Sequence, residues 1–158
     1  MLKDGSKRIK KLPLMKHDFI SSSQEETTNF GAMLANAVVP DNIIAIQGDL
    51  GAGKTTLIKG LAATLANIDP ASVNSPTFNY LNIYQGPITF YHFDLYRLKD
   101  EKDFFKMGFL EFLSGGICCI EWPERIAQIL PKETIWVHLK YQNDHKRHIT
   151  IKNLHGFN

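Results

Sequence analysis

Ile43-Ile44-Ala45-Ile46-Gln47-Gly48-Asp49-Leu50-Gly51-Ala52-Gly53-Lys54-Thr55-Thr56 is the stretch that decides the fold of this chain. Its first four residues form a short, continuous apolar run, as a strand buried on both faces requires. Gly48 to Thr55 then matches G-x-x-x-x-G-K-[ST] at every specified position. Leu57, Ile58, Leu61 and Leu65 follow at helical spacing. Strand, glycine-rich turn and helix in that order make a phosphate-binding loop. The glycines admit backbone angles closed to other residues, so the N–H groups of Leu50, Gly51, Ala52, Gly53 and Thr56 can approach phosphate oxygens. Thr55 opens the helix, whose dipole and unpaired N–H groups favour an anion. Lys54 brings a compact positive charge to the β- and γ-phosphates, and the Thr55 hydroxyl is an oxygen ligand of the kind Mg²⁺ takes.

Such a site also needs a carboxylate at the end of a neighbouring strand, to hold the metal or orient water. Asp94 follows the β-rich run Ile88–Phe93, and Glu121 follows the apolar run Ile117–Ile120. Both stand where strand C-termini meet phosphates, and the sequence does not rank them. Asp49, inside the loop, is a further candidate for orienting water, with a solvent-facing side chain as the plainer reading. Thr77, in Ser75-Pro76-Thr77-Phe78, occupies the place where NTPases put a loop that senses the γ-phosphate.

The rest of the chain supplies the frame. Its 158 residues are 44% hydrophobic and 22% charged, which suits one compact domain and excludes a disordered chain. No apolar run is long enough for a membrane span, and no apolar stretch of a secretory signal follows the basic N-terminus. Cys118 and Cys119 are adjacent, which argues against a disulfide scaffold and for a reducing, cytoplasmic setting with buried thiols. Residues 1–16 hold six basic side chains and one acidic, so a body of charge −3 carries a basic segment within the overall +2. Residues 1–17 are expected to be a flexible tail, and 18–158 a single domain.

Ser22…Glu25 or Ser23…Glu26 forms a capping box before a helix whose apolar residues run from Phe30 to Val38, ended by Pro40. Thr77–Tyr84 and Ile88–Phe93 flank Gln85-Gly86-Pro87 as a hairpin, and Thr134–Tyr141 and Arg147–Ile151 make a second antiparallel pair. Helices are expected over 100–113 and from Pro123 onward. The fold class is therefore α/β: a P-loop NTPase fold with central parallel strands, antiparallel edge strands and helices on both faces. The tyrosines Tyr80, Tyr84, Tyr91 and Tyr96 are read as core rather than as a base-stacking surface. His92 is read as packed or hydrogen-bonded rather than as half of a metal pair.

A guanine-reading Asn-Lys-x-Asp segment is missing from the sequence, which favours ATP. Leu113-Ser114-Gly115-Gly116 lacks the glutamine of the ABC signature and reads as a helix end. A small-molecule kinase wants an arginine-bearing lid, whereas Arg8, Arg97, Arg125 and Arg147 are scattered. A kinase, and a nucleotide-sensing module without turnover, stand as the alternatives to an ATPase.

GDLGAGKTT (48–56), SPTF (75–78), YHFDLYRL (91–98) and EWPE (121–124) occur here in the order seen in the bacterial TsaE (YjeE) family, which the chain resembles over roughly residues 20–150. The resemblance implies a small Mg²⁺-dependent ATPase in the threonylcarbamoyladenosine modification of tRNA. It implies TsaD-like and TsaB-like protein partners, contact with tRNA indirectly through their complex, and no membrane. It makes Lys54 and Thr55 the phosphate and Mg²⁺ residues, Asp94 the Walker B-type aspartate and Glu121 the metal-linked carboxylate of the switch region, with Trp122 beside it. It brings Arg125 to the nucleotide pocket and the segment from Glu25 to Thr28 near the adenine. The basic tail has no counterpart in the family pattern.

Overall fold

The computed structural model describes residues 16–155, so most of the basic segment lies outside the described residues. The elements are β1 (Lys16–Ser21), α1 (Gln24–Ala35), β2 (Ile43–Gln47), α2 (Lys54–Ala66), β3 (Leu81–Tyr84), β4 (Phe90–Asp94), α3 (Glu101–Lys106), β5 (Ile117–Glu121), β6 (Ile135–Tyr141) and β7 (Arg147–Lys152). The seven strands form one sheet in the order β1-β7-β6-β2-β5-β4-β3. β6, β2, β5 and β4 run parallel, while β7 and β1 on one side and β3 on the other are antiparallel. This is the parallel centre with antiparallel edges expected from the sequence.

β2 is buried except at its last residue and β5 throughout, as apolar strands covered on both faces must be. On one face α1 and α2 cover Ile44, Ile46, Cys119, Val137 and Ile149. On the other, α3 and two 3₁₀ segments, Phe109–Leu113 and Pro123–Ile129, cover Ile43, Phe93, Cys118 and Ile120. Phe93, Phe104 and Phe109 meet there with ring centroids 5.3–5.6 Å apart. Tyr80, Tyr84 and Tyr91 are half-buried, with their rings against Phe109, Phe90 and Phe112 respectively. Both cysteines are free and buried, and burial pushes their thiols well above the ordinary range.

α1 and α2 touch backbone to backbone through Gly31 and Gly60. A Cβ on Gly60 would lie 1.9 Å from the carbonyl oxygen of Thr28, and one on Gly31 2.1 Å from that of Leu57. Gly60→Val is therefore expected to lower stability by ~3 kcal/mol, at the upper end of typical overpacking costs. For a domain of this size that is about 6–12 °C in Tm. Calorimetry checks it; an unchanged Tm would mean the two helices can separate at no cost.

Several boundaries differ from the sequence reading. Lys16 and His17, assigned to the tail, belong to β1, which pairs with β7 from Lys16↔Lys152 to Ser21↔Arg147. α1 stops at Ala35, before Pro40 is reached. The segment 77–80 is a turn, so β3 starts only at Leu81. The helix expected over 100–113 is broken at Gly108, whose φ of 72° is left-handed, into α3 and a 3₁₀ segment. After Pro123 the chain makes 3₁₀ turns with a kink at Ile126 instead of an α-helix.

Candidate functional site

Gly48 to Gly53 joins β2 to α2 at the carboxyl ends of the parallel strands, the rim where ligands of open α/β sheets bind. Gly51 and Gly53 have φ of 77° and 102°, which l-residues with side chains rarely adopt. Gly53 caps α2 without any side-chain hydrogen bond, so the first N–H groups of the helix are left for an anion. The Lys54 ammonium donates to the carbonyls of Gly48 (2.6 Å) and Asp49 (2.9 Å) and sits 4.4 Å from the centre of the Trp122 ring. Burial lowers its pKa, against the pull of Glu121, Glu124, Asp94 and Asp49. The fold thus bears a cost to hold this cation, which points to function rather than stability.

Asp94 and Glu121 are Cα partners in the β4–β5 register, so the two carboxylates stand side by side on one face of the sheet. Both are buried. Their hydrogen bonds separate their roles. Glu121 Oε1 accepts from the Thr55 hydroxyl (3.1 Å) and from His92 Nε2 (2.8 Å). Asp94 accepts from the Ser75 hydroxyl (2.5 Å) and from the N–H of Tyr96 (3.0 Å). Glu121 is thus tied to the phosphate loop, and Asp94 to the Ser75–Phe78 turn. Among the described residues no three His, Cys, Asp or Glu side chains gather as a metal cluster. Thr55 and Glu121 offer adjacent hard oxygens, the donor type Mg²⁺ takes.

A cleft of about 490 Å³ opens over this floor. Leu50, Gly51, Gly53, Lys54, Thr55, Thr56, Thr77, Asp94 and Glu121 line it together with Trp122, so the structure brings these candidates to one place. An adjoining cleft of about 350 Å³ shares Gln24, Gly51, Gly53 and Thr56 with it and adds Thr27, His145 and Arg147.

Some candidates lie elsewhere. Ala52 is fully buried behind the loop, with its N–H on Asp49 and its carbonyl taken by Arg147 Nε (3.0 Å). Asp49 is exposed and lines neither cleft. Glu25 also lines neither. Ser23 caps α1 by accepting from the N–H of Glu26 (3.0 Å), and that phase turns Gln24 and Thr27, at i and i+3, toward the loop. Arg125 is exposed and donates to the Tyr96 carbonyl (3.2 Å) outside the cleft. A helical turn after Glu121 would carry it inward, but left-handed Trp122 (φ 57°) and the 3₁₀ turns rotate it out.

Sequence reasoning missed Ser75, Tyr96 and Arg97, which line the main cleft. All three lie within or next to motifs already in view. It also missed Tyr141 and Arg147. The Tyr141 hydroxyl donates to the Gly51 carbonyl (2.5 Å), and Arg147 lies 3.9 Å over the Tyr141 ring. They brace the loop from the β6–β7 hairpin, 90 residues or more away in sequence, and no local signal marks them.

A phosphate loop at a parallel sheet's carboxyl rim, facing paired carboxylates, defines a protein of the P-loop α/β class. The family described as "Threonylcarbamoyl adenosine biosynthesis protein TsaE" matches residues 21–149. The chain belongs to the TsaE family, whose members serve tRNA threonylcarbamoyladenosine biosynthesis. It is 40% identical to the protein of that name from Rickettsia bellii over 143 residues, covering 90% of this chain and 99% of the relative. It is 39% identical to that from Treponema pallidum over 133 residues, covering 84% and 97%. The crystal structure of Bacillus subtilis YdiB superimposes with a TM-score of 0.70 at 28% identity, covering 89% of this chain and 87% of that one. Among the described residues no helix is long and apolar enough to cross a membrane.

Proposed function

We propose that the chain is a Mg²⁺-dependent ATPase of tRNA threonylcarbamoyladenosine biosynthesis that acts on a TsaD-like and TsaB-like complex and meets tRNA only through it. One observation carries this reading: the Thr55 hydroxyl bonded to Glu121 at 3.1 Å, beside the Lys54 ammonium and the open N-terminus of α2. The triphosphate lies along the loop, and the nucleoside takes the adjoining cleft between α1 and the β6–β7 turn. Lys54 exchanges its two carbonyl acceptors for phosphate oxygens, and the α2 N–H groups hold the anion in place. Thr55 and Glu121 would hold Mg²⁺, with Asp94 beside Glu121 accepting from the Ser75 hydroxyl. A cation bound there would supply Lewis-acid stabilisation of charge on the phosphate oxygens. His92, fully buried, holds Glu121 from behind and fixes its carboxylate toward Thr55. The buried free thiols and the tRNA pathway suit the cytosol.

Phosphate release from the purified chain tests the reading. Turnover alone is expected at roughly 10⁻⁴–10⁻³ s⁻¹, the range of a P-loop enzyme without a supplied arginine, and to rise ~10³-fold or more with the partner complex. It should stop in EDTA. Tens of turnovers per second without partners would defeat the dependence on them, and metal-independent release would defeat the assignment of Thr55 and Glu121.

A further inference from the structure

Three of the chain's arginines fall among the described residues, and two of them are committed to protein acceptors. Arg125 donates to the Tyr96 carbonyl, and Arg147 to the carbonyls of Ala52, Asn143 and Lys146. Arg97 makes no hydrogen bond or ion pair among the described residues, yet it lines the cleft with Lys54, Thr55 and Glu121. Its guanidinium instead lies 4.5 Å over the ring of Phe78. Phe78 is 77% exposed, the most exposed of the large apolar side chains among the described residues, and it follows Thr77 of the cleft wall. An aromatic ring left in water at the mouth of a polar cleft has no core to serve. What it does hold is the one uncommitted guanidinium among the described residues, by cation–π attraction.

We propose that Arg97 is the chain's own transition-state arginine, and that Phe78 is the latch that keeps it off the γ-phosphate until a protein partner takes the Phe78 ring into an apolar pocket. Leu50, 73% exposed on the loop, and Tyr96, 44% exposed, extend the same apolar rim around the mouth. A partner that covers this rim removes Phe78 from beneath the guanidinium. Arg97, whose planar fork fits phosphate oxygens, then turns into the cleft. In the reaction a water oxygen bonds to the γ-phosphorus and the bridging P–O bond breaks. The electron pair leaves with ADP, and the water's proton ends on inorganic phosphate or solvent. Arg97 adds charge to the γ-phosphate oxygens and takes no part in that balance.

This inference rests on the ATPase reading, and the same assays separate the two. In this chain without partners, Phe78→Ala should raise kcat about two- to fivefold with little change in KM, the share of the 10³–10⁵-fold effect of such an arginine that an exposed cation–π contact can withhold. Adding Arg97→Ala should cancel the gain. Phe78→Leu, which keeps an apolar side chain but no π face, should behave as Phe78→Ala and guards against loss of fold. Binding of ADP with aluminium fluoride should tighten in both Phe78 variants and weaken in the Arg97 double variants, while binding of ADP alone stays level. Wild-type rates in the Phe78 variants, or a gain that survives Arg97→Ala, would overturn the latch. If the wild-type chain releases no phosphate that depends on Lys54, the ATPase reading itself falls and this inference with it.

Discussion

Lys54→Ala is expected to reduce ATP turnover by ~10²–10³-fold or more, the effect of deleting a preorganised donor at developing charge. Nucleotide affinity should fall by about 10–100-fold, since a charge-assisted hydrogen bond contributes roughly 1.5–3 kcal/mol. The fold should survive. Lys54 is buried at an energetic cost, and its present acceptors are two carbonyls of its own loop, one of which, that of Asp49, also accepts the N–H of Ala52. Isothermal titration with ATP, phosphate release and a thermal melt on the same sample decide the matter. Unaltered turnover would take the loop out of the mechanism.

The second large effect belongs to Glu121, and here the choice of replacement matters. Glu121→Gln keeps the shape and leaves an oxygen to accept from His92 or Thr55, but removes the charge that a divalent cation needs. Mg²⁺-dependent turnover should fall ~10²-fold or more, in line with a loss of several kcal/mol of metal-assisted stabilisation. ATP binding measured in EDTA should change less than about threefold, because that interaction lies with the loop amides and Lys54. Glu121→Ala should in addition lower stability by about 1–3 kcal/mol, since it leaves buried His92 Nε2–H without an acceptor. His92 Nδ1 has no hydrogen-bond partner, so the ring has no second anchor to fall back on. If Glu121→Gln lost metal-free binding and turnover in equal measure, its role would be structural.

The phosphate loop was legible because every part of it is local. Strand, glycines, lysine, hydroxyl and helix follow one another within fourteen residues, and each is needed by the anion for its own reason. The two carboxylates were legible as strand ends, since a β-rich run of six residues precedes Asp94 and an apolar run of four precedes Glu121. Their division of labour was not legible, because it depends on which strand lies next to β2. β5 does, at Ile46↔Glu121, and β4 is one strand further out. β1 escaped notice because it is an edge strand held by backbone bonding to β7, with only Phe19 stacked at 4.5 Å on Phe30 to mark its inward face. Arg125 was misplaced because the segment after Trp122 is 3₁₀ rather than α, and the two geometries differ in angular phase.

The sequence by itself determined the strand–glycine loop–helix unit, the α/β class and the family, because each is written in contiguous residues whose spacing local backbone geometry converts directly into shape. Only the tertiary structure decided that Glu121 rather than Asp94 meets Thr55, that Tyr141 and Arg147 brace the loop, and that Arg97 stands over Phe78 at the cleft. Those relations join side chains from different elements, and they are set by strand order and helix phase, which no single stretch of chain contains.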